Sequence, residues 1–224
     1  MSREAPLWPT DLDEARRVQT RLAKAVETED RFGPVRRIAA LDAHFGKRQD
    51  RIWAAVALVD LADLELRHSI LIVRPLDYPY IPGLLSFREA PAMLEALALL
   101  PEPPDMVLVD GQGIAHPRRF GIACHVGVLA DLPTIGVAKS ILVGRYDNLG
   151  ADRGQSVPLI HRGAIVGAAL RTRTAKQPVF VSTGHRIGLT SAVDIVLRCT
   201  RNLRLPEPIR LADAISRMHP PDPE

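Results

Sequence analysis

The stretch from Asp105 to Arg119 concentrates the residues able to do chemistry. Met106 to Val109 is a short apolar run, the pattern of a strand buried on both faces of a sheet. It ends on a carboxylate, Asp110, and passes into Gly111 and Gly113, then His116, Arg118 and Arg119. A strand in a sandwiched sheet delivers its last side chain into the crevice beyond its carboxyl end. Glycines there let backbone approach a ligand, because no Cβ intervenes. An acid, open backbone and cations so close together suit a metal held against a phosphate. A strand–loop–helix turn with solvated charges accounts for the same residues, and both readings stand at this point.

The elements that must position this stretch follow from periodicity. A helix is expected over 11–29, capped by Asp11, with Leu12, Ala15, Val18, Leu22, Ala25 and Val26 at spacings of three and four. Its charged other face places it outside the domain. Strands are expected at 36–44, carrying Asp42, at 52–61 and at 64–73, with a turn at 46–50. Links this short imply antiparallel pairing. A loop at 74–86, stiffened by Pro75, Pro79 and Pro82, leads to a helix at 87–100. After the strand ending at Asp110 come a helix near 120–130 and a strand at 134–138. A hairpin around Arg162-Gly163, a strand at 179–182 and helices near 190–203 and 208–217 complete the chain. With no repeat or linker, residues 1–224 read as a single domain, with 218–224 as a flexible tail. Three antiparallel strands followed by helix–strand alternation imply an α/β fold, a mixed central sheet flanked by helices. If the first strand neighbours the strand ending at Asp110, then Asp42 and Asp110 converge.

The totals exclude several classes. A formal charge of +3 permits a polyanionic partner without demanding one. The two cysteines, Cys124 and Cys199, sit in helix-like apolar patterns and read as buried free thiols in a reducing setting. There is no hydrophobic signal core and no apolar run of membrane-spanning length, so a cytoplasmic protein without membrane contact is expected.

Five motifs then narrow the reading. Pro79-Tyr80-Ile81-Pro82-Gly83-Leu84-Leu85-Ser86-Phe87-Arg88-Glu89 is followed by Val109-Asp110-Gly111-Gln112-Gly113-Ile114-Ala115-His116-Pro117-Arg118-Arg119. Gly136-Val137-Ala138-Lys139, Thr183-Gly184-His185-Arg186 and Leu205-Pro206-Glu207-Pro208 come after. In this order the motifs resemble those of the endonuclease V family, deoxyinosine-cleaving repair nucleases with a ribonuclease H-like fold.

The resemblance implies roles. Asp42 and Asp110 match the family's metal-ligating aspartates, and Glu89 matches a third acid close to the metal, acting through bound water. Tyr80 matches the wedge that fills the gap left by an extruded nucleotide. His116 and Lys139 match polar residues lining the active site. Asp213 falls where the family carries histidine or aspartate, so its role is left uncertain. Gln112 and Ser140 depart from the family's usual histidine and lysine, which implies altered DNA contacts. The implied protein is a monomeric, magnesium-dependent endonuclease, with manganese able to substitute. It would recognise deoxyinosine in DNA and hydrolyse the second phosphodiester bond 3′ to it, leaving 3′-OH and 5′-phosphate. Inosine in RNA is the alternative substrate. A non-catalytic binder of distorted DNA is a further alternative, against which the joint presence of Asp42, Glu89 and Asp110 speaks.

The residues themselves fit that chemistry and also admit plainer readings. Phosphodiester hydrolysis benefits from a hard cation, and magnesium prefers one or two carboxylates. Glu89 could instead close a capping box with Ser86. Tyr80 could plug its loop, or the stiff loop could drive its ring into a base stack. Gly83, Leu85, Gly111 and Gly113, with Ile122 as a wall, are candidates for a hypoxanthine pocket, though these glycines also suit turns. His116 could be a satisfied structural histidine. Lys139 ends a buried strand, which favours a phosphate contact. Arg118, Arg119, Arg171, Arg173 and Lys176 form either a DNA-backbone face or a solvated one. His125 and His185 receive no role.

Overall fold

The computed structural model describes residues 8–9, 11–46, 50–76 and 78–218; most of the turn expected at 46–50 and the tail beyond Met218 lie outside the described residues. In chain order the elements are α1 (Leu12–Ala23), β1 (Arg37–Phe45), β2 (Arg51–Asp60), β3 (Leu66–Pro75), α2 (Leu85–Ala98), β4 (Met106–Asp110), α3 (Ile122–Ala130), β5 (Thr134–Ala138), β6 (Ser156–His161), β7 (Ala164–Leu170), β8 (Val179–His185), α4 (Leu189–Arg198) and α5 (Glu207–Ser216). The strands form one mixed sheet in the order β3-β2-β1-β4-β5-β8-β7-β6. The first three strands are an antiparallel meander, as their short links required, and β1, β4 and β5 run parallel. This is the mixed α/β, ribonuclease H-like architecture.

Period-two alternation sorts the central strands into two cores. Ile38, Ala40, Met106 and Leu108 point to the face covered by α4 and α5, against Ile195, Val196, Ile209 and Ala212. Ala39, Leu41, Val107 and Val109 point to the other face, against Met93 and Ala96 of α2 and Ile122 and Val126 of α3. Burial on both faces explains why β4 is apolar without interruption until Asp110. Helix α1 lies outside α2 and α3, burying Ala15 and Val18 against Leu84 and Phe87. Cys124 and Cys199 are buried free thiols, each pushed up to about 12 by burial. Among the described residues no helix is long and apolar enough to cross a membrane.

Element ends differ from expectation where tertiary hydrogen bonds compete. α1 stops at Ala23 rather than near residue 29. Beyond it Glu27 donates its N–H to His185 Nδ1 and accepts from the Arg186 N–H, which draws the chain out of the helix. Thr183-Gly184-His185 belongs to β8 instead of following it, because Ile135 and Thr134 of β5 extend the pairing to Thr183 and His185. α4 ends at Arg198, where the Arg153 guanidinium bonds the Leu197 and Thr200 carbonyls.

Candidate active site

The register Leu41↔Val109 makes Asp42 and Asp110 neighbours at the same level of adjacent parallel strands. Their alternation phase matches Ala40 and Leu108, so both project to the face that α5 covers. α5 adds Asp213, and one carboxylate oxygen of each of Asp42, Asp110 and Asp213 lies within 4.8 Å of the others. Ser216, one turn on along α5, donates its hydroxyl to Asp42 Oδ2 at 2.8 Å. Lys139, just past β5, places Nζ 2.6 Å from Asp110 Oδ2 and 3.4 Å from Asp213 Oδ1. Arg217 holds Asp213 from outside at 3.0 Å. The sequence left Asp213 uncertain; the fold places it with the two strand aspartates. Lys139 bonds carboxylates here.

Gathered acids repel, and their proton affinities record it. Burial, then the charge of Asp110, pushes Asp42 up to about 6, against the pull of the Ser216 hydroxyl. Glu89, on α2, is buried, and burial followed by the charges of Asp42 and Asp110 pushes it up to about 8. Asp213 is held below the usual carboxylate range by its Arg217 hydrogen bond, which outweighs burial, with Lys139 assisting. Burial works most strongly against the Lys139 ammonium, but its hydrogen bond to Asp110 together with the charges of Asp110, Asp213 and Asp42 outweighs burial and raises it. Three carboxylates and one ammonium leave net negative charge in an all-oxygen donor set, which fits a hard divalent cation. Glu89 stands outside the close trio. It makes no capping box either: Leu84 is the N-cap of α2, and Ser86 lies within the first turn, its Oγ 3.0 Å from His125 Nδ1.

The loop that follows Asp110 contributes Gln112 to a cavity lined also by Gln19, Tyr80, Gly83, Leu85, His116 and Ile122. Tyr80 is 64% exposed at its rim, so its ring is not a plug in the surface of its loop. His116 faces this cavity, and burial, then the neighbouring Arg118, pushes it down to about 4, leaving it neutral near pH 7. Of the glycines expected in the pocket, Gly83 lines it, whereas Gly111 and Gly113 do not. A Cβ on Gly113 would strike the Thr183 carbonyl, so this glycine serves close packing of the loop on β8. Gly111 backs directly onto Ile122, where a Cβ would lie 2.6 Å from Cγ2.

Other expected residues have structural partners. Arg119 bonds the His161 carbonyl at 3.0 Å, and Arg171 bonds the carbonyls of Gly150 and Lys176. Arg118 turns inward to Gln19 and Gly83. Three of the five cations nominated as a DNA-backbone face are therefore tied down, while Arg173 and Lys176 are exposed. His125 is packed among Trp8, Phe87 and Phe120 and buried. Gln112 donates its amide to the Ser140 carbonyl at 2.9 Å, tying the loop after β4 to the segment after β5. Sequence reasoning missed Gln19 and Ser216. Gln19 stands four residues after Ala15, a polar side chain inside an apolar stripe, and that was a usable signal.

Comparison with known proteins bears on this geometry. The family model described as endonuclease V matches residues 20–214. Endonuclease V of Nostoc sp. (strain PCC 7120) is 51% identical over 210 residues, covering 93% of this chain and 95% of the relative. The crystal structure of endonuclease V from Streptomyces avermitilis superposes with a TM-score of 0.90 at 43% identity, covering 94% of this chain and 93% of that one. Endonuclease V of Ciona intestinalis, solved in complex with a 24mer DNA containing an inosine followed by a ribo-adenosine, gives a TM-score of 0.82. It is 27% identical, covering 92% of this chain and 95% of that one.

Proposed function

The chain belongs to the endonuclease V family and is a nuclease, and from that premise we propose that it is a magnesium-dependent repair endonuclease acting on deoxyinosine in DNA. In this reading it hydrolyses the second phosphodiester bond 3′ to the lesion and leaves 3′-OH and 5′-phosphate. The observation that carries the proposal is the adjacency of two features. An acid trio suited to a hard cation includes Asp110, and the residues that follow it reach a cavity with an exposed aromatic ring: Gly111 backs onto Ile122 and Gln112 lines the cavity with Tyr80.

Asp42, Asp110 and Asp213 would hold the cation, and manganese can take its place in an oxygen site of this kind. When bound, it supplies charge neutralisation at the phosphate and acidifies water. Lys139 supplies a further positive charge at the same point. Glu89, protonated near neutral pH in the metal-free protein, keeps a proton beside Asp42 and Asp110. Tyr80 stands where a ring could fill the space of an extruded nucleotide, and extrusion costs least for a weakly paired base. Gly83, Leu85 and Ile122 form the walls against which such a base would rest, and Gly111 supports Ile122 from behind. Neutral His116 presents an uncharged imidazole to it.

The test is a labelled duplex with a single deoxyinosine, incubated with and without magnesium. A magnesium-dependent nick one bond beyond the lesion's own 3′ phosphate, lost in Asp110→Ala, is expected. Binding without nicking by the wild-type protein would overturn the reading. Because the Ciona relative was solved with a ribo-adenosine after the inosine, a second arm uses inosine-containing RNA. Faster cutting of that strand than of the DNA would assign RNA as the main substrate.

A further inference from the structure

Gln19 is 1% exposed, and every polar atom of its side chain is engaged. Nε2 donates to the Phe120 carbonyl at 2.8 Å and the Gly83 carbonyl at 3.2 Å, and Oε1 accepts from Arg118 Nε. Arg118 in turn donates Nη2 to the same Gly83 carbonyl at 2.6 Å. Two donors thus converge on one oxygen, enough to use both its lone pairs, and His116 also approaches the Gly83 backbone. Gly83 closes the proline-stiffened loop that carries Tyr80, and it has φ +78, a conformation side chains rarely adopt. A Cβ there would lie 3.0 Å from Arg118 Nη2. Phe120 lines the same cavity as Gly83 and Gln19.

From this arrangement we infer that Gln19, on the first helix of the chain, is a positioning residue for lesion discrimination. It and Arg118 clamp the Gly83 carbonyl, and Gln19 ties the wedge loop to Phe120, which lines the same cavity. The inference rests on the proposed function and adds a part of the chain that motif matching left outside the site. Gln19 touches no reacting atom. Its effect passes through Gly83 to Tyr80 on one side and through Phe120 to the cavity wall on the other. With both lone pairs committed, the Gly83 carbonyl is a fixed point of the pocket and not an acceptor for the base. Prolines restrict the loop's internal freedom, and the clamp adds polar anchorage to the packing of Ile81 and Leu84 against α1.

Two variants test this. Gln19→Leu removes all three bonds at similar volume. Gln19→Glu keeps the acceptor for Arg118 and sets a carboxylate against the carbonyls of Gly83 and Phe120. Each lost hydrogen bond is worth roughly a factor of ten, so the ratio of affinities for deoxyinosine duplex over unmodified duplex should fall about tenfold or more. Amide exchange in segment 80–85 should accelerate by about the same factor, while exchange in the central strands stays at the wild-type rate. A merely structural role would lower the folded fraction and reduce binding to both duplexes equally. Wild-type discrimination and exchange in either folded variant would overturn the proposal, and so would failure of both to fold. The exchange measurement needs no substrate. If the wild-type protein shows no preference for deoxyinosine, the functional reading fails while the clamp is still decided.

Discussion

Replacing Glu89 by glutamine should remove most of the alkaline loss of stability in the metal-free protein. The carboxyl is buried on α2 and pushed from 4.5 up to about 8, by burial first and then by Asp42 and Asp110. The folded protein therefore binds this proton more tightly than the unfolded chain does, and stability falls as pH rises from about 4.5 to about 8. Between pH 6 and 8.5 the loss from Glu89 alone is about 2–3 kcal/mol, taken from the two proton affinities by linkage. Asp42, pushed up to about 6, is already half deprotonated at the start of that window and adds only about 0.4 kcal/mol. Urea unfolding in chelator at pH 6, 7 and 8.5, with circular dichroism and fluorescence compared to establish a single transition, measures this directly. The buried histidines His116 and His125, pushed down to about 4 and about 3, act in the opposite sense and gain about 0.8 kcal/mol each across the same window. The wild-type protein should therefore weaken by about 1 kcal/mol across the series, whereas Glu89→Gln should gain about 1 kcal/mol. Magnesium should flatten the wild-type curve, because a cation near the trio favours the ionised acids. A glutamine variant whose stability follows the same course with pH as the wild-type protein would refute the assignment of Glu89 as a buried acid strained by its neighbours.

Three other perturbations separate the parts of the site. Tyr80→Ala should weaken binding of a deoxyinosine duplex by the worth of one stacked ring, about 1–3 kcal/mol, and leave the magnesium-dependent rise in melting temperature intact. Loss of that rise would show the ring to be structural. Asp213→Asn should weaken magnesium binding by about tenfold or more, since affinity in oxygen sites follows the count of charged ligands; a calorimetric titration equal to wild type would remove Asp213 from the trio. Gly113→Ala should destabilise the protein by about 1–3 kcal/mol through overpacking, because the neighbouring atoms are backbone of β8. A melting temperature unchanged in that variant would mean that the loop after β4 is free to move away from β8.

Much of the scaffold was legible because burial on two faces leaves an unambiguous mark. The run Met106-Val107-Leu108-Val109 allowed little besides a central strand, and the short links around β2 allowed little besides antiparallel pairing. Helix and strand ends were less legible, since they are decided by partners distant in sequence. Ala25 and Val26 continue the helical spacing of α1, yet the chain leaves the helix to bond His185 and Arg186. Asp42 and Asp110 could be brought together on paper because adjacent parallel strands fix both level and face. Asp213 and Ser216 could not, because the angle at which a helix crosses a sheet is set by side-chain packing along its whole length.

The same contrast explains which site residues a motif reveals and which it hides. A side chain that faces solvent or substrate carries a chemical demand of its own, so its type is informative when read alone: Asp110 and Tyr80 are of this kind. Gln19 answers a demand made by other residues, the carbonyls of Gly83 and Phe120, and its type has meaning only once those carbonyls are placed. Gln112 belongs to the second kind as well. Read as a departure from a histidine it suggests a changed contact with DNA, but its amide is spent on the Ser140 carbonyl. That bond joins the loop carrying Asp110 to the segment carrying Lys139, the two partners of the closest ion pair at the acid trio. The residue therefore bears on how the carboxylates and the ammonium are held relative to one another, and also on the cavity it lines, where its Oε1 has no hydrogen-bond partner among the described residues.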